Sequence, residues 1–107
     1  MSLQQKEELD AMGIDENGNL QLLLIDEMSW WNKKKHLQYL QDKINCYLEF
    51  IESKQFTKTY PDKEFSSFII HISFLYKIPK KCSDFLEEVN RQLISYNISV
   101  TCEIEDE

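Results

Sequence analysis

Glycine and proline are scarce in this chain, with two of each in 107 residues. Gly13 and Gly18 do not frame a serine, which excludes the Gly-x-Ser-x-Gly elbow of an acyl-transfer nucleophile. Cys46, Cys82 and Cys102 stand far apart, with no Cys-x-x-Cys among them. An odd count, in a chain that opens without a charged segment leading into an apolar one, points to free thiols in a reducing cytosol. No apolar run reaches the length of a membrane span. Histidine occurs only at His36 and His71, and neither is followed four residues on by a second metal-binding side chain. A paired metal site on one helix face is therefore not expected. Basic residues are outnumbered 12 to 19 by acidic ones, for a net charge of −7. A nucleic-acid binder needs a basic face to displace counterions. The one local exception is Lys33, Lys34 and Lys35 beside Trp30 and Trp31. That cluster is short, and Trp30 falls on an apolar helix stripe. These absences predict no catalytic centre, no metal or other cofactor, no nucleic-acid partner and no membrane insertion.

What is present is enough to build a core. Apolar residues make up 42% of the chain and aromatics 12%, and this length suits one domain. The most organised stretch runs from Ser29 to Ser53, without glycine or proline. At about 100° per residue, Trp30, Leu37, Leu40, Ile44, Tyr47, Leu48 and Ile51 share one side of a helix. Ser29 is the expected cap. Tyr39, Cys46 and Phe50, with Lys43 among them, are placed on the other side, as an outward set.

The remaining segments fall around this helix. Residues 1–8 are polar and expected to be flexible. A strand from Leu9 turns at Asn17-Gly18, a dipeptide that accepts positive φ, into a second strand, Leu20 to Asp26. A three-residue loop with a bulged Gly18 or Asn19 is expected to set Ile14 opposite Leu22 and Met12 opposite Leu24. Residues 54–64 form the one long connection. Ser66 to Lys77 alternates Phe68, Ile70, Ile72, Phe74 and Tyr76 against a mixed face carrying Ile69, His71 and Leu75, the pattern of a central strand. Pro79 opens a second helix, with Cys82, Phe85, Leu86, Val89 and Leu93 on its stripe, and Asn97 suits a left-handed cap. Ile98 to Ile104 then turns Ile98, Val100, Cys102 and Ile104 inward, and reads as a strand at or near a sheet edge. Asp106 and Glu107 continue an acidic tail. The order β-β-α-β-α-β predicts an α+β, two-layer α/β sandwich over residues 9–107. Its sheet is four-stranded and mixed, with both helices on one face.

Ile25-Asp26, Trp30, the run His36-Leu37-x-x-Leu40-Gln41-x-Lys43-Ile44-Asn45-x-Tyr47-Leu48-x-Phe50-Ile51-Glu52-Ser53 and Tyr60-Pro61 resemble a family of small bacterial domains of unknown function. The resemblance covers the chain from about Asp10 onward. It implies a bacterial cytosolic origin and no particular activity.

The functional expectation therefore rests on surfaces. Leu23, Ile25, Ile69, His71 and Leu75 fall on the outer sheet face, and Trp31, Tyr39 and Phe50 on the outer side of the long helix. Apolar side chains gathered on an uncovered face are what a protein interface requires. The expected function is that of a non-enzymatic interaction domain, self-associating as a homodimer. An immunity-type or adaptor protein that masks a basic partner is its concrete form. The alternative is a small enzyme or ligand-binding domain, its pocket formed by the 54–64 loop with His71, Tyr60 and a carboxylate. Asp26, Glu27, Asp84, Glu87 and Glu88 read as surface carboxylates. A His71–Glu103 contact between neighbouring strands is the one pairing to look for.

Overall fold

The structure, a computed structural model, describes residues 9–105. The expectations for residues 1–8, including their folding over the sheet, and for Asp106 and Glu107 lie outside the described residues. Alternation sets the sheet. In β2 (Leu20–Asp26) every even residue is buried and every odd one half-buried, because successive side chains of a strand leave by opposite faces. The four strands β1 (Ala11–Ile14), β2, β3 (Phe68–Phe74) and β4 (Ile98–Ile104) lie side by side in that order. β1 is antiparallel to β2, and β2, β3 and β4 are mutually parallel. The parallel steps require crossovers. These are α1 (Lys33–Glu52) and α2 (Lys80–Leu93).

Both helices cover one face. Leu22, Leu24, Ile70, Ile72, Phe74 and Val100 from the strands form a single buried cluster with Leu40, Ile44, Tyr47 and Ile51 of α1 and Cys82 and Leu86 of α2. The α+β sandwich, its mixed four-stranded sheet and the edge position of β4 are as the sequence predicts.

Four local expectations are corrected. Five residues, 15–19, connect the two strands, with Gly18 at φ +83°, and Ile14 pairs with Leu20 and Met12 with Leu22. The faces are right and the pairing is two residues off, because Asp15 organises the turn. Asp15 Oδ1 accepts from the Asn17 and Asn19 N–H groups, and Asp15 N–H donates to the Asn19 carbonyl. The bond from the Asn19 backbone, above all, holds the Asp15 carboxyl below its ordinary value.

The second correction is the start of α1. Asn32, not Ser29, is the cap, and its Oδ1 accepts from Lys35 N–H at 3.2 Å. Third, Tyr39, Cys46 and Phe50 are half-buried and border the buried arc, with Lys43 wholly buried between them and the stripe. The Lys43 ammonium lies 5.6 Å from the centroid of the Tyr47 ring. At 100° per residue these positions flank the stripe instead of opposing it. Fourth, Cys102, Ile104 and Tyr76 are exposed. The first two keep the inward parity of β4, but at the open edge the helical layer covers Cys102 only in part and leaves Ile104 exposed. Tyr76 lies past the end of β3.

The helices also fasten the sheet through its backbone. Tyr47 Oη donates to the Leu23 carbonyl (2.6 Å) and accepts from Asp10 N–H (3.2 Å), while Asp10 Oδ2 accepts from Ile25 N–H (2.7 Å). The Asp10 carboxylate takes the acceptor position that β1, already ended, no longer supplies. Burial pushes the Tyr47 phenol well above its ordinary value.

Candidate functional site

The sheet face away from the helices carries the odd residues of β2, β3 and β4. In-register pairing sets Leu23 beside His71 and Thr101, and Ile25 beside Ser73 and Glu103. Ile69 lies between Gln21 and Ser99, one step below, and Leu75 follows the end of β3. The structure thus gathers Leu23, Ile25, Ile69 and His71 on one surface, with Leu75 just past the end of β3, all half-buried.

His71 is held at both ring nitrogens. Nδ1 lies 2.7 Å from Thr101 Oγ1, and Nε2 lies 2.9 Å from Glu103 Oε1. The expected His71–Glu103 contact is present. The imidazole is 21% exposed and the carboxylate 60%, so solvent screens the pair, and such contacts are worth little to stability. Glu103 and Thr101 fix the ring, which is the orienting part of an acid–base arrangement. The rest of such a site needs a concave pocket. The cavity by the 54–64 segment, about 630 Å³, is lined by Ile51, Lys54, Phe56, Lys63, Phe65 and Phe68 among others, and neither His71 nor Tyr60 is among them. That cavity is therefore not the anticipated one of loop, His71 and Tyr60. His71 points from the sheet face away from the helices, while the cavity opens on the helical side, where Gln55–Lys58 forms a 3-10 turn.

Trp31 and Tyr39 belong to the helical layer and meet around a shallow cleft of about 160 Å³, with Lys35 and His36. Trp31 is 87% exposed, and the Lys35 ammonium stands 5.8 Å from the Tyr39 ring centroid. Phe50 lies three turns further along the same flank, packed against the core. The helical set and the sheet set are on different faces and form no joint surface.

The sequence reading missed a buried polar pair. Asp26 and His36 are each 1% exposed. Asp26 Oδ2 lies 2.6 Å from His36 Nε2, Asp26 Oδ1 accepts from Met28 N–H at 3.0 Å, and His36 Nδ1 lies 3.2 Å from the Ser29 carbonyl oxygen. A carbonyl can only accept, so Nδ1 donates to it. Trp30 stacks on the imidazole at 3.5 Å and 16°. The pair sits where β2 ends and α1 begins, sealed by this indole. Its signal was in the periodicity. Asp26 shares the parity of Leu20, Leu22 and Leu24, and His36 stands one turn before Leu40.

Cys82, in the first turn of α2, is fully buried, and burial, with Asp26 and Cys102 adding to it, pushes its thiol up to about 12. A folded value above the unfolded one means that this contribution to stability is whole below the ordinary thiol range, near pH 9, and is lost as the pH rises toward 12. Since the thiolate is the reactive form, a disulfide reagent at pH 8 should modify exposed Cys102 first, half-buried Cys46 more slowly and Cys82 only after unfolding. Fast labelling that survives Cys102→Ser would contradict this order.

Among the described residues no group of three His, Cys, Asp or Glu side chains could hold a metal ion, and no helix is long and apolar enough to cross a membrane. No curated protein and no solved structure matches the chain. A family model does match, over residues 1–106, reaching further toward the N-terminus than the resemblance from about Asp10. The chain belongs to the family of unknown function DUF6572.

Proposed function

We propose that this domain is a non-enzymatic protein-interaction module whose contact surface is the sheet face away from the helices, and that it self-associates through that face. The observation that carries the reading is the distribution of layers. Both helices lie on one side, and the other side collects Leu23, Ile25 and Ile69 from central strands, with Leu75 just past the end of β3. A second copy would cover these side chains and remove apolar area from water, at about 25 cal/mol per Å². A two-fold contact needs only one self-complementary patch. His71, fixed by Thr101 and Glu103, gives the centre of that patch a polar group of defined direction. Immunity-type or adaptor function in a bacterial cytoplasm is the biological form consistent with the small acidic chain.

Sedimentation equilibrium at micromolar protein is expected to show a dimer. Leu23→Lys combined with Ile69→Lys should give a folded monomer, judged by an unchanged circular dichroism spectrum. A wild-type chain that remains monomeric at high concentration would sink the self-association reading.

The cavity beside Phe56 and Phe65 supports a second reading, a small-ligand domain. Saturable binding of a small molecule, lost in Phe65→Ala with sedimentation unchanged, would favour it over the first.

A further inference from the structure

In a parallel ladder, both main-chain polar groups of alternate residues serve the same neighbouring strand. Glu105 N–H donates to the Phe74 carbonyl (2.8 Å), and Phe68 N–H donates to the Asn97 carbonyl (2.9 Å). The odd residues of β4 therefore face β3, and the even residues turn their N–H and C=O groups to the open edge. Val100 shows the consequence. Its N–H donates to Asn90 Oδ1 (2.7 Å), and its carbonyl accepts from Asn90 Nδ2 (2.9 Å). The Asn90 carboxamide on α2 thus imitates a further strand at one position and stops there. Among the described residues, no such partner reaches the outward groups of Cys102 and Ile104.

Side chains along this open half of β4 sort by face. Glu103, and by continued alternation Glu105, project on the face away from the helices. Cys102 and Ile104 project on the other, exposed at the border of α2. A strand added here would have one row of side chains beside carboxylates and the next row beside apolar groups. We propose that the edge from Thr101 to Glu105 receives an extended segment of a protein partner that alternates basic and apolar residues, taken up as a fifth strand.

Main-chain bonds to Cys102 and Ile104 would hold the segment, and the alternating side chains would select it. Charge favours such a partner over a second copy. The chain carries −7, which steers a basic segment toward it. Antiparallel pairing of two β4 strands centred on Glu103 would set that carboxylate against its own copy, and like charges directly opposite destabilise a sheet. The edge borders the sheet-face contact proposed above and shares Glu103 with it, whereas the outward main-chain groups of Cys102 and Ile104 belong to the edge alone, so a change confined to them tests the edge by itself.

The test is fluorescence anisotropy of a labelled Lys-Val-Lys-Val-Lys-Val peptide with the full chain at low salt. Controls are a Lys-Lys-Lys-Val-Val-Val peptide and a Glu-Val-Glu-Val-Glu-Val peptide. The alternating basic peptide should bind roughly tenfold tighter than the block peptide, the sum of a few cross-strand pairs, and the acidic one should not bind. Cys102→Pro deletes an outward N–H while sparing the bonds to β3, a substitution edge strands tolerate. It should weaken binding about tenfold. Glu103→Lys with Glu105→Lys should reverse the preference toward the acidic peptide, and Leu23→Lys with Ile69→Lys should leave it unchanged. Equal binding of block and alternating peptides would overturn the proposal. So would wild-type affinity in both edge variants, or a dimer that Cys102→Pro dissociates, since a second copy would then occupy the edge.

Discussion

Asp26→Ala is expected to destabilise the fold by about 3–5 kcal/mol, the cost of removing one member of a buried, hydrogen-bonded pair. The carboxylate and the imidazole are both 1% exposed, so water cannot replace the lost partner. Without Asp26, His36 Nε2 and Met28 N–H both lose their partner. A typical domain is stable by only about 5–15 kcal/mol, so this one change removes a large share. The pair itself is a different matter. Taking two polar groups out of water costs much of what their attraction returns, so Asp26→Leu combined with His36→Leu should cost clearly less than the sum of the two single changes. Urea melts of the four proteins measure the coupling. Strict additivity would mean that Asp26 and His36 act independently, and the pairing described above would not operate in solution.

Ile44→Ala is the second large effect, at about 2–5 kcal/mol. Ile44 is 2% exposed and sits in the cluster shared by the sheet and both helices. Truncation there leaves a cavity that neighbours on three elements cannot close at once. Phe50→Ala removes a larger side chain but should cost less, because Phe50 borders the buried arc and is half-exposed already. Matching urea midpoints for the two variants would show that the flank of α1 is as deeply covered as its centre. The two-layer arrangement would then be wrong.

Several contacts were legible before the fold was known. His71 and Glu103 could be paired because neighbouring parallel strands in simple order put like parities on one face. Asn97 could be assigned a left-handed conformation because few residues other than glycine adopt it, and it has φ 60°. Lys54 has the same φ, and nothing about lysine announces it. The Asp15 turn was half legible. Asn17-Gly18 located the loop, but which residues faced each other depended on an aspartate folding back on its own backbone, a competition that strand alternation does not describe.

The sequence by itself determined the order of the strands and the two long helices, the inward face of each strand and the apolar centre of the buried arc of α1, at Leu40, Ile44, Tyr47 and Ile51. These follow from local periodicity, which each segment carries regardless of its neighbours. Tertiary structure alone decided what the ends of elements do. Asp26 and His36 are ten residues apart, and they meet only because β2 stops where α1, capped by Asn32, turns back over it. Cys102 and Ile104 have inward parity and are nevertheless exposed, because the reach of α2 across the sheet depends on where it docks. Asn90 finds Val100 for the same reason, since α2 lies along the β4 edge. Parity is a property of one strand, whereas cover and capping depend on the placement of two or more elements together.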